Sequence, residues 1–184
     1  MRAIGTILLM ILTLLTAAWA DARGETAPPA LPARFPVVAG DNLNGKTFRL
    51  PGDLEGEMNV VVVAWEREHQ STVDTWLPTL AALAKTHPTL RYYEVPVIGV
   101  LPKIAQSFID NGMRSGIPDI RTRAITITLY TDRAAFRKSL RLPSEKTIYV
   151  LLVDKMGAIH WRGEGAFTAA QGAALIAIAA KKAR

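Results

Sequence analysis

The residues best placed to do chemistry are Glu66, Arg67, Glu68 and His69. They follow an unbroken apolar run, Asn59 to Trp65, and precede a helical pattern, so they stand where a strand gives way to a helix N-terminus. In open α/β sheets, ligand sites gather at that end of the strands. An imidazole near the positive end of a helix favours its neutral form, so His69 could serve as a base, with Glu68 to orient it. A nucleophile is missing: no Ser-His-Asp order and no nucleophile elbow surrounds the histidine. The chain also contains no cysteine. That removes thiol redox chemistry, thiolate metal sites, cysteine nucleophiles and a lipidated-cysteine anchor. A polar cluster without a motif reads first as a solvated loop whose charges pair locally. No catalytic residue and no cofactor is assigned.

Other constellations are weaker. The three histidines, His69, His87 and His160, lack the short spacings of a metal site, and no metal ligand is assigned. His87 precedes Pro88 at a helix end and reads as structural. Gly163-Glu164-Gly165 lacks the third glycine of a dinucleotide loop and reads as a turn. Trp65 and Trp76 read as core, whereas Trp161, beside Arg162 on a late strand, reads as a partly buried candidate for a binding surface. The formal net charge of +6 permits contact with an anionic lipid or an acidic partner. No basic run exceeds two residues and no aromatic-basic motif occurs, so nucleic-acid binding is not indicated.

The elements that must position these residues follow from periodicity. Asn44-Gly45 is a hairpin turn between short strands carrying Leu43 and Phe48. Asn59 to Trp65 reads as a central strand covered on both faces. Ser71 and Asp74 form an S-x-x-D capping pattern before a helix with Val73, Trp76, Leu77, Leu80, Leu83 and Ala84 at helical spacing. Pro78 should kink it. Leu90 to Val100 is a strand, and Pro102 to Gly112 a helix with Ile104, Phe108 and Ile109 on one face. Ala124 to Tyr130 alternates as a strand, and Asp132 to Leu140 is a short helix. Thr147 to Asp154 is a buried strand that turns at Lys155-Met156-Gly157 and returns as Ala158 to Arg162. Thr168 and Gln171 cap a terminal helix. Strands alternating with helices, followed by a hairpin and a helix, make an α/β architecture with a partly parallel sheet.

The 184 residues suit one domain, and 49% apolar content suits a packed one. Before that domain, residues 1–20 read as a secretory signal, with a small-x-small site at Ala18-Trp19-Ala20 and a second at Ala20-Asp21-Ala22. The apolar stretch Ala3 to Ala20 sits at the lower edge for spanning a bilayer, so a retained membrane anchor is the alternative. Residues 21–34, rich in Ala and Pro, read as a stiff linker to a domain over 35–184. The expected location is exported and periplasmic, either soluble or tethered to the inner membrane by residues 1–20.

Three phrases carry a family resemblance: LNGKTFRLPGDLEGEMNVVVVAW, STVDTWLPTLAAL and TIYVLLVDKMGAIHWRGEG. Together they resemble the thioredoxin-like superfamily, in its peroxiredoxin and extracytoplasmic thiol-disulfide oxidoreductase branch. The resemblance implies a thioredoxin-like three-layer α/β fold, a central mixed β-sheet flanked by helices with an N-terminal β-hairpin. Carried over from Trp65, that family's paired cysteines fall near His69 and Thr72. Carried back from Pro78, they fall near Gln70 and Val73. Neither register supplies a thiol. The family's cis-proline before the closing strand falls at Ile148, and the nearest proline is Pro143, so the resemblance implies a lost redox site. Within this group, YVLLVDKMGAIHWRGEGAFT and VVVVAWEREHQSTVDTWL are similar to the mitochondrial ATP-synthase assembly-factor family. Its members have a thioredoxin-like core, chaperone the enzyme's membrane sector and act on its subunit a.

These readings converge on a non-redox, exported binding or assembly module acting on a protein partner, an integral subunit of ATP synthase or a respiratory complex. The nominated partner surface is Glu66, Arg67, Glu68, His69 and Gln70, with Trp161 and Arg162. One alternative is a thiol-independent enzyme using His69 with a nearby carboxylate. A second is a structural envelope protein whose basic surface touches anionic lipid.

Overall fold

The computed structural model describes residues 34–182. The signal or anchor at 1–20 and nearly all of the linker at 21–34 lie outside the described residues. Arg34, the linker's last residue, already pairs with Ala158 in an isolated bridge.

The hairpin is Val38–Asn42 (β1) and Thr47–Leu50 (β2). Gly45 holds φ at 85° in its turn, the left-handed region that a glycine enters without a Cβ penalty. Asn42 Oδ1 accepts from the N–H groups of Asn44 (3.0 Å) and Lys46 (2.9 Å) and so braces the same turn. The central strand is Met58–Ala64 (β3). It runs parallel to Leu90–Ile98 (β4), which runs parallel to Ile127–Tyr130 (β5). On its other side β3 pairs antiparallel with Tyr149–Asp154 (β6), and β6 pairs antiparallel with Ile159–Glu164 (β7). The seven-stranded sheet has the order β2-β1-β5-β4-β3-β6-β7.

Because side chains alternate along a strand, β3 feeds two cores. Val61 and Val63 join Phe48, Tyr93, Phe136 and Leu151 on one face. Val60 and Val62 join Val73, Trp76, Leu80, Val150 and Leu175 on the other. The second face is covered by Gln70–Asp74 (α1), Leu77–Thr86 (α2) and the terminal helix Ala169–Lys182 (α6). The first is covered by Arg133–Ser139 (α5), through Phe136, and by the segments around Leu54 and Leu142. Between β4 and β5 the chain forms Lys103–Gly116 (α3) and Ile120–Ile125 (α4). Among the described residues no helix is long and apolar enough to cross a membrane.

Four local expectations are corrected. Ser71 does not cap a helix: the chain has already begun to coil in a 3₁₀ turn at Arg67–His69, so Ser71 lies inside α1 and its hydroxyl reaches back to the Glu68 carbonyl (3.4 Å). The kink at Pro78 is a break between α1 and α2, with Pro78 in the first turn of α2, where its missing N–H is harmless. Ala124 and Ile125 belong to α4, because Asp119 accepts from the N–H groups of Arg121 and Thr122 and starts a helix there. At α6 only half of the capping box forms. Thr168 Oγ1 accepts from Gln171 N–H (3.2 Å), but the Gln171 amide goes to the Glu164 carbonyl (3.2 Å).

Candidate partner-binding junction

Trp65 stands one residue beyond β3, its ring buried against Phe136 and under the Arg133 guanidinium (5.9 Å). The chain leaves it through an extended Glu66 and closes the 3₁₀ turn by His69 N–H donating to the Glu66 carbonyl (3.1 Å). This turn displays Glu66, Arg67, Glu68 and Gln70 to solvent. His69 is turned inward, only 9% exposed, and its Nδ1 accepts from the Trp65 N–H (3.3 Å). That amide lies past the sheet ladder, so the imidazole supplies the acceptor a buried N–H requires. The bond places the hydrogen of the neutral ring on Nε2.

The expected pairing of His69 with Glu68 does not form: no hydrogen bond joins them among the described residues, and Glu68 points to solvent. The tip is instead backed by a partner set that the sequence did not signal. Arg133, opening α5, donates through Nε (2.9 Å) and Nη2 (2.7 Å) to Glu145 and lies 3.9 Å from Glu66. Gln70 donates from one amide nitrogen to Asp74 (2.9 Å) and to Glu94 on β4 (3.4 Å). Glu94 is 7% exposed. Burial pushes its carboxyl above the ordinary range and the Asp74 charge adds to this, against the opposing Gln70 hydrogen bond. Among the described residues no cation pairs with it. A single acid in the run R-Y-Y-E-V-P-V-I was the only sequence signal.

In each register one of the two positions where a thiol pair would stand serves the fold. In one register His69 braces Trp65. In the other Val73 is buried in the core that also holds Trp76 and Ile148. Ile148, at the position of the family's proline, is fully buried there.

Trp161 and Arg162 do not join the tip. They are neighbours on β7, an edge strand, and alternate to opposite faces of the sheet. Trp161 is half-buried, edge-on to Trp76 at 6.1 Å. Trp76 in turn meets Phe167 (5.3 Å) and donates from Nε1 to the Gly165 carbonyl (2.9 Å). Arg162, on the other face, donates to the Arg141 carbonyl (3.2 Å).

The remaining histidines have separate local work. His87 Nδ1 lies 2.9 Å from Thr86 Oγ1 and 3.2 Å from the Leu83 carbonyl, at the end of α2. His160 Nε2 lies 2.8 Å from Asp154 Oδ2. Burial alone would raise the Asp154 carboxyl; the His160 contact and the N–H groups of Ala158 and Met156 outweigh it and hold it below the usual range. Asp154 Oδ1 accepts both N–H groups at 2.9 Å. Gly157 follows with φ at 86°, and its carbonyl accepts from Phe35 N–H (2.7 Å). The Asp-x-x-Gly phrase is thus a turn that also ties down the start of the domain. Among the described residues no three His, Asp or Glu side chains converge as a metal site. A shallow groove lined by Pro78, Ala82, Leu83, His87 and Ile176 lies between α2 and α6 and includes no junction residue.

Solved structures share this architecture. A thiol:disulfide interchange protein, DsbE, from Chlorobium tepidum aligns with a TM-score of 0.55 at 12% identity, over 84% of this chain and 99% of its own. A thiol:disulfide interchange protein from Bacteroides sp. gives 0.55 at 17% identity, over 83% and 89%. The exposed lipoprotein thioredoxin Etrx1 of Streptococcus pneumoniae gives 0.53 at 16% identity, over 79% and 99%. At these identities the likeness is one of fold, which is thioredoxin-like. This chain has no thiol with which to exchange disulfides. No curated protein matches the sequence. The model of the family described as ATP10 protein matches residues 31–180, which takes in nearly all of the described residues. The chain belongs to the ATP10 protein family, a family tied to ATP synthase assembly.

Proposed function

We propose that this protein is an exported, non-enzymatic assembly module that holds a membrane-sector subunit of ATP synthase. The family membership supports the assembly role. The observation that carries the binding reading is the junction itself. His69 and Val73 are turned into the fold, while Glu66, Arg67, Glu68 and Gln70 stand in solvent at the end of the central strand. A charged tip on a rigid base presents recognition groups at little ordering cost. Trp161 and Arg162 on β7 face opposite sides of the sheet and stay outside this contact. The enzyme alternative loses support, because the proposed base spends Nδ1 on a backbone amide and meets no nucleophile.

The test is a triple variant, Glu66→Ala, Arg67→Ala and Glu68→Ala. These side chains are exposed and their one ion pair is long, so unfolding stability should stay within about 0.5 kcal/mol of wild type. In-cell crosslinking followed by pull-down should recover an ATP-synthase membrane subunit with the wild-type chain and lose it with the variant. Unchanged capture by a folded variant would remove the tip from the interface.

A further inference from the structure

The α3 helix, Lys103–Gly116, turns an apolar stripe to solvent. Ile104 is 88% exposed and Phe108, one turn on, is 81%; Val100, in the segment that leads into the helix, is 74%. No residue of α3 is buried. The helix is held from its other side, by Tyr130 donating to the Gln106 carbonyl (3.2 Å) and Asp110 (2.8 Å), and by Arg114 donating to the Leu43 carbonyl (2.7 Å). A sheet-covering helix points its large apolar residues at the sheet; here Ile109 and Met113 are half-buried while Ile104 and Phe108, expected on the same face as Ile109, point away.

The charge around the stripe is net positive. Between Gly99 and Thr126 the cations are Lys103, Arg114, Arg121 and Arg123, and the acids are Asp110 and Asp119. Both acids are engaged internally, Asp110 with the Tyr130 hydroxyl and Asp119 with the first N–H groups of α4. None of the four cations meets a carboxylate among the described residues; Arg114 and Arg123 are spent on backbone carbonyls, and Lys103 and Arg121 are the exposed pair. Protruding side chains beside uncompensated cations match an interfacial helix, whose apolar residues enter the acyl boundary while Lys and Arg meet acidic headgroups. A peptide-binding surface would instead offer a groove, and Ile104 and Phe108 stand proud of theirs.

We infer that α3 is an interfacial membrane contact: Ile104 and Phe108 insert into the headgroup boundary of an anionic bilayer. This contact lies outside the junction and does not depend on the partner reading above.

The chain's lack of cysteine gives a direct test, since one introduced thiol is uniquely labelled. Full-length Ile104→Cys, carrying an environment-sensitive fluorophore, is mixed with vesicles of phosphatidylglycerol and phosphatidylcholine. Its emission should shift to the blue and be quenched by brominated acyl chains, and added salt should weaken both effects. The same label at Ala134→Cys, exposed on α5, should change in neither respect. Adding Phe108→Ser should lower the inserted fraction on the order of tenfold. The inference is overturned if the label at position 104 stays in water on vesicles that retain the chain. Equal insertion into phosphatidylcholine alone overturns the anionic assignment. A blue shift without lipid that grows with protein concentration assigns the stripe to a second copy of the chain instead.

Discussion

His69→Ala separates a brace from a base. Truncation removes the acceptor of the Trp65 N–H at a site that is 9% exposed, and water has little access to replace it. Leaving a buried donor unsatisfied costs about 1–3 kcal/mol, and the bond's 3.3 Å length puts this case toward the lower part of that range. Loss of the packed ring adds roughly 1 kcal/mol more. The expected total is about 2–3 kcal/mol, which for a domain of this size lowers Tm by roughly 4–10 °C. His69→Asn provides the internal control. Its Oδ1 sits one bond beyond Cγ, as Nδ1 does, so it can accept the same hydrogen and should recover about 1 kcal/mol. Urea titration followed by far-ultraviolet circular dichroism measures all three proteins under one condition. If His69→Ala falls within about 0.5 kcal/mol of wild type, or if Asn is as damaging as Ala, the histidine is not the brace described.

Two further outcomes follow from the backbone and from the buried acid. Gly157→Ala should destabilise by more than about 2 kcal/mol, because the left-handed φ alone costs about 1–2 kcal/mol and the new Cβ would lie 2.7 Å from Pro51 Cγ in a stiff ring. Gly45→Ala, at the same φ but with open space around it, should cost only about 1 kcal/mol, so equal losses in thermal melts would refute the role given to Pro51. Glu94→Gln should stabilise the domain at neutral pH. The folded state raises the Glu94 pKa above its unfolded value, so ionised Glu94 disfavours folding, and this penalty is relieved as pH falls through the folded pKa toward the ordinary glutamate range. The variant's advantage should therefore shrink on acidification and vanish once both states hold the proton. A pH-independent difference between the two proteins would show that burial of the charge is not its source.

The features legible in the sequence were those fixed by a few adjacent residues. Asn44-Gly45 sets a turn by its own backbone preferences, and Val60 to Val63 marks a strand covered on both faces whatever the neighbours are. The S-x-x-D pattern at Ser71 misled because helix start depends on where the chain begins to coil, and Trp65 and His69 move that point upstream. Ala124 and Ile125 alternate like a strand, but the Asp119 cap acts five residues earlier and wins them for α4. At the junction, the types of Glu66 to Gln70 were readable and their directions were not. His69 faces inward because an amide beyond the sheet needs an acceptor. The Arg133 to Glu145 support and the Gln70 to Glu94 contact join segments distant in sequence, and no spacing rule reaches them. Trp161 and Arg162 looked like one patch as neighbours, although strand alternation sends them to opposite faces.

The missing thiol is not an isolated substitution. A dithiol site needs a nucleophile open to solvent and a partner surface against which a substrate chain can lie. Here the first possible thiol position is a half-buried to buried pair, His69 and Thr72, with His69 committed to the Trp65 amide. In the other register Gln70 is exposed and Val73 is enclosed in the core with Trp76 and Ile148. A cysteine restored at Val73 would be buried among aliphatic and indole groups, where a thiolate is disfavoured. Ile148 fills the place of the proline with aliphatic volume that belongs to the same core. At this junction His69 and Val73 belong to the interior, and the side that faces solvent carries the charge. Holding a partner asks only for what is present: a rigid base, and a tip free to make contacts without first being ordered.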